Sequence, residues 1–208
     1  MNIAQRRYVP LQWAASIEDM LALTSDRVLD GEKVHLIGYS MGGYVSALWA
    51  AEHANNVASV TLIGYAAQGL SDKEISRRKQ MITMLSKGQF TPNNPAYVSR
   101  FVHPNYINND DVAGVVMSMG EDLGKNTLLA HTQATTPREN MLNKLASLQV
   151  PVNIIAAEQD QMVSLKALQN MAASIPNSTL QVVANSGHML PLEQPETLAE
   201  LLNNCINV

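Results

Sequence analysis

Ser40 stands in Gly38-Tyr39-Ser40-Met41-Gly42, directly after the apolar run Val34-His35-Leu36-Ile37 and directly before the helical stretch Gly43 to Ala51. A serine hydroxyl is a poor nucleophile at neutral pH. To attack a carbonyl it must project from a tight strand-to-helix turn towards a base, with backbone N–H groups nearby to receive an oxyanion. Glycines two before and two after the serine are expected to let strand and helix approach closely enough for such a turn. A phosphate-binding turn would instead require Gly-x-Gly-x-x-Gly or a Gly-Lys-Ser/Thr ending, and this turn has neither. Ser40 is therefore the candidate nucleophile.

Five histidines can supply the base: His35, His53, His103, His131 and His188. His188 follows the strand-like Thr179-Leu180-Gln181-Val182-Val183-Ala184 and so belongs on a loop at a strand's C-terminal end, the edge on which open α/β sheets build their sites. His35 falls within a strand and His53 in the helix after Ser40, which suits structural or exposed roles. His103 and His131 lie in the middle region as candidate substrate contacts. The third member must be a carboxylate that fixes the imidazole tautomer and stabilises its protonated form. Asp160, where the buried strand Val152 to Ala157 gives way to its loop, is the choice; Glu158, two residues earlier, is the rival. No Cys/His cluster has metal-ligand spacing, so neither metal nor organic cofactor is expected.

The elements that position these residues follow from periodicity and punctuation. Ser16, with Asp19 three residues on, caps a helix carrying Ile17, Met20, Leu21 and Thr24 on one face. The nucleophile strand and a helix to about His53 come next, then a buried strand over Ala58 to Tyr65. After the acid strand, Ser164 caps a helix with Leu165, Leu168, Met171 and Ile175 on one stripe. A last helix from about Pro195 buries Leu198, Leu201, Leu202, Cys205 and Ile206. This alternation predicts an α/β fold, a mostly parallel sheet with flanking helices.

The 208 residues suffice for one domain with an insertion. With a net charge of −4 and basic clusters only at Arg6-Arg7 and Arg77-Arg78-Lys79, neither nucleic acid nor an anionic membrane surface is an expected partner. The first residues lack an apolar h-region and no apolar run reaches membrane length. The single cysteine, Cys205, excludes an internal disulfide and fits a reducing compartment. A cytoplasmic protein acting on a small molecule is the expectation.

In three stretches, Val34 to Gly43, Pro151 to Asp160 and Gly187 to Glu196, and in the chain order Ser40, Asp160, His188, the sequence resembles the α/β-hydrolase superfamily, and within it the cap-bearing, esterase- and lactonase-like members. The resemblance implies a hydrolase core in residues 1–65 and 149–208 and a helical cap in residues 66–148. In that cap Met81, Met84, Phe90, Phe101, Val115, Val116, Met117 and Met119 are candidates to line an apolar pocket, although packing on the core suits most of them. It also implies a serine hydrolase of small esters, lactones or related acyl compounds, with C–C bond hydrolysis or a lyase reaction on the same triad as an alternative. Family members carry further strands ahead of those seen here, and a His-Gly loop that gives one of two oxyanion donors, the resemblance implying that the backbone N–H of Met41 is the other. Residues 1–37 contain no His-Gly pair, so the chain resembles a member shortened at its N-terminus. A non-catalytic binding protein is the rival this raises, since losing one donor costs on the order of a hundred- to a thousandfold. The nucleophile strand is then an open edge suited to pairing with a second copy, unless residues 1–13, with Tyr8 and Trp13, cover it.

Overall fold

Four parallel strands in the order β1-β2-β3-β4 form the sheet of the computed structural model, which describes residues 5–89 and 94–206. They are β1 (Val34–Tyr39), β2 (Val57–Ile63), β3 (Val152–Ala157) and β4 (Ser178–Val183). The helices are α1 (Ile17–Ser25), α2 (Met41–Glu52), α3 (Asp72–Ser86), α4 (Pro95–Val98), α5 (Val115–Ala134), α6 (Leu142–Ala146), α7 (Leu165–Ser174), α8 (Leu190–Glu193) and α9 (Pro195–Ile206).

Local chemistry sets the ends of these helices. Ser16 and Asp19 form a reciprocal capping box on α1, Ser71 and Glu74 do the same on α3, and the Ser164 hydroxyl accepts from Ala167 N at the start of α7. Every residue of β3 is buried, as a strand covered on both faces requires. On one face Val60, Leu62, Ile154 and Ala156 pack with Ala47 and Leu48 of α2 and Leu168 and Met171 of α7. On the other, Ile63, Ile155 and Ala157 pack with Leu198 and Leu202 of α9.

β1 is an edge strand, and on it His35 and Ile37 are exposed. The rings of Tyr8 and Trp13 do not cover this edge: they are 78% and 76% exposed. Leu11, half-buried, packs with Ala14, Met20 and Val45.

Between β2 and β3 the chain makes its one long excursion, residues 66–148. Arg78 of α3 donates to the hydroxyls of Thr135 and Thr136, both at 2.6 Å, and so fastens α3 to the end of α5. Burial lowers the Arg78 guanidinium to about 10. A π-helical turn, Asp110–Gly114, leads into α5, which breaks at Gly124 (φ 70°, ψ 170°), a backbone conformation glycine adopts without penalty. Periodicity alone does not signal either irregularity. Phe90, named above for the pocket, lies outside the described residues.

Candidate active site

The turn between β1 and α2 holds Ser40 at φ 52°, ψ −112°, in a region that costs a non-glycine residue on the order of 1–3 kcal/mol. Its amide is fixed from the neighbouring strand, Ser40 N donating to Ile63 O at 2.8 Å. Crowding explains the glycines, but not in the pairing read from the sequence. A Cβ on Gly38 would stand 2.4 Å from the Gly42 carbonyl oxygen and 2.6 Å from Ser46 Oγ, and one on Gly43 would stand 2.6 Å from Tyr65 Cβ. One on Gly42 would meet nothing nearer than Leu11 Cδ1 at 4.0 Å. Gly43 rather than Gly42 is thus the second glycine the elbow needs. Because backbone cannot rotate away, Gly38→Ala is expected to destabilise the fold by about 1–3 kcal/mol, read as a lowered Tm, whereas Gly42→Ala should cost well under that.

His188 sits on the loop after β4, 5% exposed, and its two ring nitrogens face two partners. Nδ1 is 2.8 Å from Asp160 Oδ2 and Nε2 is 2.9 Å from Ser40 Oγ. Oδ1 of Asp160 accepts the backbone N–H groups of Met162 and Val163 at 2.7 and 2.9 Å, which orients the carboxylate and leaves Oδ2 as an acceptor for the ring. With the Nδ1 proton given to that oxygen, Nε2 is bare and can accept from the serine hydroxyl. Glu158, the rival carboxylate, is exposed and accepts from Gln159 Nε2. Met41 opens α2, where helix geometry provides its N–H with no intrahelical acceptor.

Three neighbours confine the imidazole. Gly64, at φ 56°, lets the chain after β2 pass close by: a Cβ there would lie 3.4 Å from His188 Cε1 and 3.6 Å from Asp160 Oδ2. Tyr39 donates its hydroxyl to the His188 carbonyl at 2.6 Å, with ring centroids 5.4 Å apart. Burial pushes the Tyr39 phenol far above its usual range, with Asp160 and Glu193 acting in the same sense, so it remains a donor throughout the working range of pH. Phe101, from the insertion, lies with its ring 5.9 Å from that of His188. Tyr39 was in plain view inside the serine turn, but nothing in its local sequence points across 149 residues to His188.

The other histidines lie outside the line from Ser40 to Asp160. His35 Nδ1 is 2.8 Å from Ser59 Oγ, and His53 stacks on Trp49 at 4.3 Å. His103 is buried, and its Nδ1 accepts from Asn105 N, so it caps a short turn. His131 Nε2 donates to Leu11 O at 2.9 Å.

An apolar cavity of about 200 Å³ is lined mainly by residues of the 66–148 excursion; Ser40, His188 and Asp160 are not among its walls, and its links to them are Phe101, with its ring 5.9 Å from that of His188, and Met189. Its walls include Phe101, Val116, Met119, Leu128, His131 and Met189, the residue after His188, and no lysine, arginine or carboxylate. Of the other apolar candidates from the sequence, Met84 and Val115 are exposed and Met117 packs against the buried cluster of Val98, Val102, Val112, Ala113 and Met189. No group of three or more His, Cys, Asp or Glu gathers as a metal site among the described residues. Nor is any of the described helices long and apolar enough to cross a membrane.

Known proteins resemble this chain in sequence and fold. Monoacylglycerol lipase ABHD6 of Bos taurus is 27% identical over 188 residues, covering 84% of this chain and 55% of the lipase. The chain thus spans about half the length of the curated relatives it matches. The 2-hydroxy-6-oxononadienedioate/2-hydroxy-6-oxononatrienedioate hydrolase 2 of Pseudomonas putida is 24% identical, covering 93% of this chain and 70% of the enzyme. Among solved structures, a thermophilic esterase from Thermogutta terrifontis superposes with a TM-score of 0.83 at 21% identity, over 92% of this chain and 72% of that one. An enol-lactonase from Burkholderia xenovorans gives 0.79 at 17% identity, over 93% and 74%. The family model described as alpha/beta hydrolase family matches residues 6–201, a span that takes in the serine turn, the acid strand and the histidine loop alike. By that match and that fold, this chain belongs to the alpha/beta hydrolase family.

Proposed function

We propose that this chain is a serine hydrolase of small, neutral, apolar esters or lactones. The observation that carries this reading is the unbroken hydrogen-bonded line from Ser40 Oγ through His188 to Asp160, and the apolar cavity linked to it through Phe101 and Met189 bears on the choice of substrate. His188 Nε2 takes the serine proton as Oγ attacks the carbonyl carbon. The Met41 N–H receives the developing oxyanion, and Asp160 holds the ring in the tautomer that leaves Nε2 free and then stabilises the imidazolium. The proton passes from His188 to the leaving alkoxide, and water, deprotonated by the same nitrogen, releases the acyl group. Residues 66–148 act as the cap that sets substrate choice. The unpaired, buried Cys205 accords with a reducing, cytoplasmic setting.

The named activities of the relatives, a monoacylglycerol lipase and an esterase among them, support ester hydrolysis. The Pseudomonas relative is named for a dioate substrate, so C–C hydrolysis is the second reading. Such a substrate brings carboxylates, and the cavity offers neither lysine nor arginine to meet them. A neutral acyl group fits better. Since about 150 Å³ suffices for a benzene-sized guest, the cavity suits a short- to medium-length acyl chain.

A series of aryl esters of rising acyl length tests this. Rates should climb from acetyl to a medium-length chain and then fall. Filling the cavity with Val116→Trp should raise KM for the longer esters by about tenfold while leaving the acetyl ester within a few-fold, as lost apolar burial predicts. A flat length profile, unchanged by that substitution, would remove the cavity from the proposal.

A further inference from the structure

Glu193 has no contact with the triad side chains, yet it stands where the two segments that meet at His188 join. Its residue is 5% exposed, at the end of the four-residue turn α8. Oε1 accepts the backbone N–H of His103 at 2.8 Å, and Oε2 accepts the backbone N–H of Gly187. An ionised carboxylate only accepts, and bonds to it from N–H groups are charge-assisted, so one buried side chain saturates two donors from distant parts of the chain.

The surroundings leave little slack. A Cβ on Gly187 would lie 2.7 Å from His103 N and 3.1 Å from Phe101 O. On the other side of His188, Met189 N donates to Phe101 O at 3.1 Å. Residues 101–103 of the insertion are thus tied to residues 187–189 on both flanks of the base, while Tyr39 holds the His188 carbonyl from below. The capping of α8 itself makes no use of the Glu193 carboxylate.

We propose that Glu193 is a positioning residue: its carboxylate sets the backbone of His188, and so transmits the placement of segment 101–103 to the base. This rests on the reading of Ser40, His188 and Asp160 given above. Glu193→Gln is nearly isosteric but turns an NH2 group towards one of the two N–H donors, which cuts the strap on one side.

In the full chain, Glu193→Gln should lower kcat on an aryl ester by about ten- to a hundredfold with KM within about threefold, since a misplacement near 1 Å costs on the order of a hundredfold. The far-downfield Nδ1–H proton resonance of His188 should broaden or shift, as a role in folding alone would not require. Glu193→Asp, shorter but with two acceptors, should retain more of kcat.

A folded Glu193→Gln whose resonance and fluorophosphonate labelling rate match those of the unsubstituted chain would overturn the proposal. If Glu193→Gln does not fold, amide exchange in the unsubstituted chain decides: Gly187 and His103 should be protected together, and free exchange at either refutes the strap. Ser40→Ala separates this inference from the functional reading. It removes labelling if the nucleophile is right, and it leaves the His188 resonance, and the effect of Glu193 on it, readable if the nucleophile is wrong.

Discussion

Replacing Ser40 with alanine should abolish fluorophosphonate labelling and lower kcat for any ester the protein turns over by on the order of a millionfold, the scale of losing the nucleophile in an otherwise intact triad. His188 Nε2 and the Met41 N–H would remain in place, but with no hydroxyl between them. Stability separates this effect from unfolding. Alanine inherits the φ of 52° and so the strain, which should leave Tm close to that of the unsubstituted chain. Ser40→Gly, equally inactive, should be more stable than Ser40→Ala by about 1–3 kcal/mol, because only glycine adopts that backbone without strain. Labelling of Ser40→Ala at the original rate would place the nucleophile elsewhere.

Asp160→Asn should cost on the order of ten-thousandfold in kcat. The magnitude follows from how the carboxylate is held. Oδ1 is committed to the N–H groups of Met162 and Val163. An asparagine that keeps its carbonyl oxygen there must turn its NH2 towards His188 Nδ1. The ring then accepts at Nδ1 and carries its proton on Nε2, facing Ser40, where it can no longer take the serine proton. Steady-state kinetics with the variant, alongside Glu158→Gln as a control expected to stay within about threefold of the original rate, checks both the size of the effect and the choice between the two carboxylates. Equal losses in the two variants would contradict it.

What was legible in the sequence is what local rules control. A glycine-flanked serine between an apolar run and a helix, a capping box at Ser16 and Asp19, and the switch from strand to loop at Asp160 are all written within a few residues of one another. Contacts across the fold are not. That Gly43, and not Gly42, is crowded depends on Tyr65, which arrives from the end of β2. The Tyr39 hydroxyl finds a carbonyl 149 residues away, and Glu193 reaches back 90 residues to His103. Within residues 66–148 the break at Gly124 falls on a glycine that punctuates the helical pattern, whereas the π-helical turn at Asp110–Gly114 defeats periodic reading, since it does not keep a period of 3.6 residues. Whether residues 1–13 cover β1 was left open by the sequence, since a shield needs a surface shaped to receive it, and Tyr8 and Trp13 remain largely in solvent.

The strands lie side by side in the order in which they are synthesised, and that gives the chemistry a history. β1, α2 and β2 are contiguous in sequence and pair with one another, so the strained serine turn can form while the insertion is still emerging. Its base lies 148 residues later, after the whole insertion, β3 and β4. On the functional reading proposed above, the growing chain would hold a correctly bent serine without its base until β4 and the loop after it have docked.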